Sequence, residues 1–187
     1  YKRQILYNVS IKSVLGSTDG IINELQYDSR KIVKNSLFVA IKGTKNDGHK
    51  FIDEAIKQGA VAIVHQEQII KKYDGVTYVN VENSAKALAH MTANYFDYPS
   101  RDLNLIGVTG TNGKTTIVSL LYDLFKSAGF KVGLISTLKI LVDDKVFSAT
   151  HTTPNSISIN FYLKKMVEAG VEFCFMEVSS HGIDQYR

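Results

Sequence analysis

A single cysteine, Cys174, excludes any disulfide within the chain, and its place in the apolar run FCFMEV makes a buried, reduced thiol the expected state. That suits a cytoplasmic protein. Long apolar runs are scarce too: no stretch approaches the roughly 18 continuous apolar residues of a membrane span, and the opening YKRQILYNVS has no signal-peptide core. Membrane insertion is therefore not expected. The formal charge of +4 is spread along the sequence, which suits an anionic small ligand but supplies no basic stripe for nucleic acid. His49, His65 and His90 have no second histidine or cysteine at metal-ligand spacing, so no zinc site is expected. Internal repeats and low-complexity segments are absent. An initiator methionine is also lacking, and the chain reads as a piece of a longer protein.

What is present is enough for a real core: 187 residues, 44% of them apolar, fit one large or two small domains. The first hundred residues alternate short strands with helices, as an α/β layer does. Strands are expected at 25–27, 37–41, 61–65 and 77–81, with helices at 51–58 and 84–96, the last capped by Asn83 or Ser84. Tyr98, Pro99 and Ser100 then break the pattern, because proline disfavours a helical residue before it. Two domains follow, residues 1–98 and 99–187, with the break between Asp97 and Asp102. The second continues with a strand at 131–135, a hairpin through Asp143 and Asp144, a helix at 155–169 and a strand at 172–178. Crossover helices imply a mostly parallel sheet. The expected fold is α/β: a small N-terminal α/β domain, then an incomplete P-loop-type domain that stops just after a strand.

The most informative stretch is Gly107–Thr116, GVTGTNGKTT, which sets a glycine-rich turn between the apolar strand 103–108 and a helix starting near Lys114. Ile117, Leu120, Leu121, Leu124, Phe125 and Ala128 have the spacing of one buried helical face. Glycines let backbone N–H groups wrap phosphate oxygens, and the helix N-terminus adds partial positive charge. Lys114 would reach the β- and γ-phosphates while the Thr115 hydroxyl holds Mg²⁺. The spacing of Gly107, Gly110 and Gly113 is one residue longer than the usual P-loop and does not fit the GxGxxG of dinucleotide folds. A glycine-rich turn alone could be a plain strand-to-helix connection. GK followed by two threonines at a helix start argues for mononucleotide phosphate.

Glu177 is the one acidic residue of the run 173–178 and lies near its C-terminal end, the edge where open α/β sheets bind ligands. It is either a magnesium carboxylate paired with Thr115 or a solvated strand-end glutamate; on spacing both readings stand. His181 is a ligand contact, a proton carrier or a loop histidine. His151, Thr152 and Thr153 precede Pro154 at a helix start, where the threonines are caps or substrate donors. Asp28, Ser29 and Arg30 and the following LFVAIKGTKNDGHKF supply a strand flanked by polar loops, read from the residues alone as a binding module of unassigned ligand.

Together these blocks resemble the Mur ligase family, in particular its E type, over most of the chain. DSR with LFVAIKGTKNDGHKFIDEAIKQGAVAIV is similar to the family's UDP-binding N-terminal domain, GVTGTNGKTT to its P-loop, and HTTP with MEVSSHGIDQYR to the E-type pattern. The resemblance implies that Gly110, Thr111, Asn112, Gly113, Lys114, Thr115 and Thr116 hold ATP, with Lys114 and Glu177 catalytic and Thr115 and Glu177 on Mg²⁺. Ser29, Thr44, Lys45 and Asn46 fall where the family holds the UDP end of its substrate. Thr152, Thr153, Ser179, Gln185 and Arg187 fall where it holds the rest, and His151 stands where many members have asparagine.

The implied partners are UDP-MurNAc-L-Ala-D-Glu and a diamino acid, meso-diaminopimelate or L-lysine, joined by a monomeric cytoplasmic enzyme of peptidoglycan synthesis. The D-glutamate carboxylate takes the γ-phosphoryl group of ATP, and the amine displaces phosphate from the acyl phosphate. Arg187 suits an anionic substrate group because its planar fork binds a carboxylate bidentately. A carbamylated lysine, a further magnesium-site histidine and a third domain of the family are not in this sequence, so the 187 residues alone are expected to form no amide. The competing readings are an F-type ligase, a folylpolyglutamate or cyanophycin synthetase, and a non-catalytic nucleotide-binding module.

Overall fold

The computed structural model describes residues 2–43, 46–148 and 152–187. They form two compact units, Tyr1–Tyr95 and Phe96–Arg187.

The first unit comprises α1 (Lys2–Ile5), β1 (Ile11–Leu15), β2 (Glu24–Gln26), β3 (Ser36–Val39), α2 (Ile52–Gln58), β4 (Ala60–His65), β5 (Thr77–Val81) and α3 (Ser84–Tyr95). Its five-stranded sheet has the order β1-β5-β4-β3-β2. The strands β2 to β5 run parallel, and β1 lies antiparallel to β5. The crossovers therefore deliver Ser29, the loop after Val39, and Gln66 to the same C-terminal edge. Phe38, Ile63 and Tyr78 of the sheet pack with Ile52 and Ala55 of α2. Asn83 caps α3, its side chain accepting from the Lys86 N–H at 2.9 Å. The exposed strand β1 has no counterpart in the sequence reading, because its pairing of Ile11 with Val81 spans most of the unit.

His65 closes β4, nearly buried, with Nδ1 2.8 Å from the Glu67 carbonyl. Burial pushes its pKa below the ordinary 6.5. The native ring thus stays neutral while the unfolded chain takes up a proton, so this contribution to stability is present above pH 6.5 and lost as pH falls below it. An NMR titration of the His65 ring should give a midpoint under 6.5; a midpoint at or above that value contradicts the burial argument.

The second unit contains β6 (Asn104–Val108), α4 (Lys114–Ser127), β7 (Val132–Ile135), β8 (Lys139–Val142), β9 (Lys145–Ser148), α5 (Ser156–Glu168), β10 (Phe173–Glu177) and α6 (Ser180–Asp184). The sheet order is β6-β10-β7-β8-β9. It is parallel across β6, β10 and β7, and the hairpin through Asp143 and Asp144 adds β8 and β9 antiparallel.

Helices cover both faces. Ile159, Leu163 and Met166 of α5 pack on Ile135, Ile140 and Cys174. Val118 and Tyr122 of α4 pack with Leu134 and Phe175, flanked by Leu121 and Phe125. Phe125 lies 4.8 Å from Phe173 and 5.1 Å from Phe175, ring pairs each worth roughly 1 kcal/mol beyond their area. The buried stripe of α4 is therefore rotated from the sequence expectation: Ile117, Leu120 and Leu124 are exposed. Cys174 is fully buried, which pushes its thiol pKa up to about 12. Among the described residues no helix is long and apolar enough to cross a membrane.

Candidate nucleotide site

The glycine-rich turn is built from two positive-φ glycines, Gly110 at φ 151° and Gly113 at φ 80°. An L side chain at either position would be strained. Gly107 plays another part: it lies inside β6, where a Cβ would meet Val178 Cγ2 at 3.0 Å. This explains the long glycine spacing, since only two of the three glycines shape the turn.

Helix α4 begins at Lys114, with Gly113 as a cap that offers no side-chain hydrogen bond. The first ladder bond of the helix runs from Ile117 N–H to the Gly113 carbonyl, so the preceding N–H groups have no intrahelical partner. Free N–H groups and the helix dipole together favour an anion. The Lys114 ammonium donates to the Gly110 carbonyl at 2.6 Å and to the Thr111 carbonyl at 3.3 Å. It thereby bridges the turn it would have to leave for a phosphate.

Glu177 ends β10, directly beside Val108 of β6 in the parallel register. Successive strand residues alternate faces, so Glu177 shares the α4 face with Phe173 and Phe175, at the end nearest the glycine-rich turn. It is not a solvated strand-end residue, being 1% exposed. A buried carboxylate is costly unless hydrogen-bonded. Here Thr137 supplies both donors, its N–H to Oε1 at 2.8 Å and its hydroxyl to Oε2 at 3.0 Å. The Ser136 hydroxyl fixes that loop by donating to the Lys139 carbonyl at 2.8 Å. Sequence reasoning passed over Thr137, although its place just past β7, on the binding edge of the parallel strands, was a usable signal.

These groups open into one cleft of about 300 Å³, lined by Thr111 to Thr115, Thr137, Thr152, Glu177 and Ser179. The donor set fits a hard cation held beside phosphate: a carboxylate with lone pairs left after Thr137, and a threonine hydroxyl at the helix start. Among the described residues no group of three or more His, Cys, Asp or Glu could hold a metal unaided. Thr116 is exposed on the first turn of α4.

The threonines before Pro154 do not cap α5; Asn155 does, accepting from Ser158 N–H at 2.9 Å. Thr153 is instead buried, its hydroxyl accepting from Ser179 N–H at 2.9 Å and lying 3.1 Å from the Glu177 carbonyl. Gly182 must be glycine-sized, because a Cβ there would meet Thr153 Cβ at 2.9 Å. Arg187 donates to the Thr153 carbonyl at 3.1 Å and grips the Gln185 side-chain oxygen with Nε and Nη2. His181 lies exposed on α6. Ser29 and Asn46 belong to the first unit; Ser29 is nearly buried and starts a tight turn capped by Asp28. Thr44, Lys45 and His151 lie outside the described residues.

Comparison with known proteins places this geometry in context. The family model "Mur ligase middle domain" matches residues 108–187, and "Mur ligase family, catalytic domain" matches residues 21–96. A UDP-N-acetylmuramoyl-L-alanyl-D-glutamate–2,6-diaminopimelate ligase of Cytophaga hutchinsonii is 48% identical over 99% of this chain and 38% of its own length. A solved structure of a UDP-N-acetylmuramoyl-L-alanyl-D-glutamate–2,6-diaminopimelate ligase superposes with a TM-score of 0.77 at 22% identity, over 100% of this chain and 37% of that one. MurF ligase from Thermotoga maritima in complex with ADP gives a TM-score of 0.53 at 25% identity, over 84% of this chain and 32% of that one. The chain thus spans little more than a third of the length of the relatives it matches.

Proposed function

The chain belongs to the Mur ligase family, and from that premise we propose that it forms part of a cytoplasmic ligase of peptidoglycan precursor synthesis. That enzyme joins a diamino acid to UDP-MurNAc-L-Ala-D-Glu at the expense of ATP. The observation that carries the reading is the cleft in which the Lys114 turn and the clamped Glu177 meet. Residues 99–187 bind ATP through Gly110–Thr116, and residues 1–98 bind the UDP end of the substrate through Ser29, Thr44, Lys45 and Asn46. His151, Thr152, Thr153, Ser179, Gln185 and Arg187 serve the muramoyl-dipeptide end. The names of the relatives favour 2,6-diaminopimelate over lysine as the incoming amine.

In this reading the α4 N-terminus and the turn amides orient the phosphates, and Lys114 moves from its carbonyl partners onto β- and γ-phosphate oxygens. Magnesium, held by Thr115 and Glu177, would supply charge neutralisation to the transferring phosphoryl group. Thr137 holds the Glu177 carboxylate through both oxygens and aims it into the cleft. The substrate carboxylate oxygen attacks the γ-phosphorus as the bond to ADP breaks; the amine then attacks the acyl carbon, and phosphate leaves with loss of a proton. Positioning and charge neutralisation account for most of the catalysis in such transfers.

The test is an assay of the full-length protein with ATP, UDP-MurNAc-L-Ala-D-Glu and either amine. Equimolar ADP and UDP-MurNAc-tripeptide, with diaminopimelate preferred, is the expected outcome. ATP hydrolysis without tripeptide, or tripeptide from neither amine, refutes it.

A further inference from the structure

At the C-terminal edge of the first sheet, one side chain joins the loop after β3 to the exit of β4. The His49 side chain is only 11% exposed, and its Nδ1 lies 2.6 Å from Asp47 Oδ1. Its Nε2 accepts from Gln66 N–H at 3.2 Å and Glu67 N–H at 3.4 Å. An Nε2 that accepts carries no proton, so the ring is the Nδ1–H tautomer, donating to Asp47. Asp47 is fixed in turn, since the same oxygen accepts the His49 N–H at 3.0 Å. The imidazole therefore ties the loop leaving β3 to the two amides just beyond the end of β4.

That loop is closed tightly at its base. The backbones of Lys42 and Asp47 form an antiparallel β-bridge, Gly43 N–H donates to the Asn46 carbonyl at 2.9 Å, and Gly48 N–H donates to the Ile41 carbonyl at 2.8 Å. Gly48 has no room for a side chain, because a Cβ there would lie 2.8 Å from Ile41 N. The Lys42 ammonium reaches Glu67 at 3.0 Å, a second link across the same two strand ends, but an exposed one of little energetic weight. The link through His49 is the more buried of the two, and it holds Asp47, the residue next to Asn46.

We propose that His49 is a positioning residue of the nucleotide-sugar site. It touches no ligand, but it braces the loop carrying Asn46 and Asp47 against the β4 exit, so that the edge meeting the nucleoside diphosphate is formed before binding. Preorganisation of this kind lowers the ordering cost of binding and so acts on affinity, leaving the phosphoryl-transfer machinery untouched. The inference rests on the reading of the first unit as the UDP-binding half.

Binding of UDP, UDP-MurNAc-L-Ala-D-Glu and ATP to the full-length protein by calorimetry tests it. His49→Phe keeps the ring volume and removes all three side-chain polar contacts, leaving two amides unpaired and Asp47 held only by the backbone N–H of residue 49; the loosened loop should weaken UDP and UDP-sugar binding about tenfold. ATP affinity and kcat at saturating substrate should not change. His49→Gln, whose amide oxygen can accept near the position of Nε2, should stay within about threefold of the parent. Hydrogen exchange at Gln66 and Glu67 should quicken in the phenylalanine variant alone. Unchanged UDP affinity in His49→Phe overturns the inference, as does an equal loss of UDP and ATP binding or a glutamine variant as weak as phenylalanine. Parent protein that binds no UDP instead overturns the assignment of the first unit, on which the inference depends.

Discussion

Lys114→Ala in the full-length protein should lower kcat/KM for ATP about a thousandfold, roughly 4 kcal/mol of transition-state stabilisation. Among the described residues lining the cleft the ammonium is the one cationic group, and its carbonyl partners, Gly110 at 2.6 Å and Thr111 at 3.3 Å, show that it reaches across the turn mouth. In the proposed substrate complex those bonds should exchange for phosphate oxygens, and negative charge grows on the bridging oxygen as the β–γ bond breaks. The loss should therefore fall on kcat as well as KM. Lys114→Arg should recover little, because a planar fork cannot replace a point charge at the end of a flexible stem. Stability should change by less than about 0.5 kcal/mol, since the site is a partly exposed helix start outside the core. Unchanged kinetics in the alanine variant would remove Gly110–Thr116 as the phosphate site.

Glu177→Gln has the next largest expected effect, a fall in kcat of about a hundredfold or more with a rise in the Mg²⁺ concentration needed for half-maximal rate. The shape is kept: glutamine can still accept the Thr137 N–H, and its amide can donate to the Thr137 hydroxyl. Because a buried charge has been removed, the folded protein should be as stable as the parent or more so, and this separates a catalytic role from a structural one. Thr137→Val tests the clamp itself. It deletes only the 3.0 Å hydroxyl bond to Oε2 and leaves the 2.8 Å N–H bond to Oε1. Losing one partner of a metal-binding carboxylate typically costs about tenfold to a hundredfold in metal affinity, so Thr137→Val should raise the Mg²⁺ requirement with a smaller loss of kcat. Equal effects of the two variants on kcat and on stability would assign Glu177 to the core alone.

The start of α4 near Lys114 and the strand Thr77–Val81 were legible, because local signals define them: GK at a turn, and β-branched and aromatic residues between polar breaks. Helical periodicity gave the presence of a buried stripe on α4 but not its centre. The sheet meets Val118 and Tyr122, and Ile117, Leu120 and Leu124 stay exposed, a choice made by the position of Phe173 and Phe175 some fifty residues on. The clamp on Glu177 is equally non-local, joining Thr137 to a residue on a different strand. So is β1, whose partner is β5. Of the two readings of Thr153, cap or substrate donor, adjacency to Pro154 supported the cap, yet Asn155 takes that role and Thr153 turns to Ser179 and the Glu177 carbonyl. Local chemistry marked the glycine-rich turn; chain crossings that no window contains completed the cleft around it.

The most direct measurement is a crystal structure of the full-length protein with Mg²⁺ and a non-hydrolysable ATP analogue. The β- and γ-phosphates should lie over Gly110–Thr115 with Lys114 drawn off its carbonyl partners. The metal should sit about 2.1 Å from a Thr115 oxygen, with Glu177 coordinating it directly or through one water. A nucleotide bound elsewhere, or a metal that neither Thr115 nor Glu177 approaches, would contradict the assignment of this cleft.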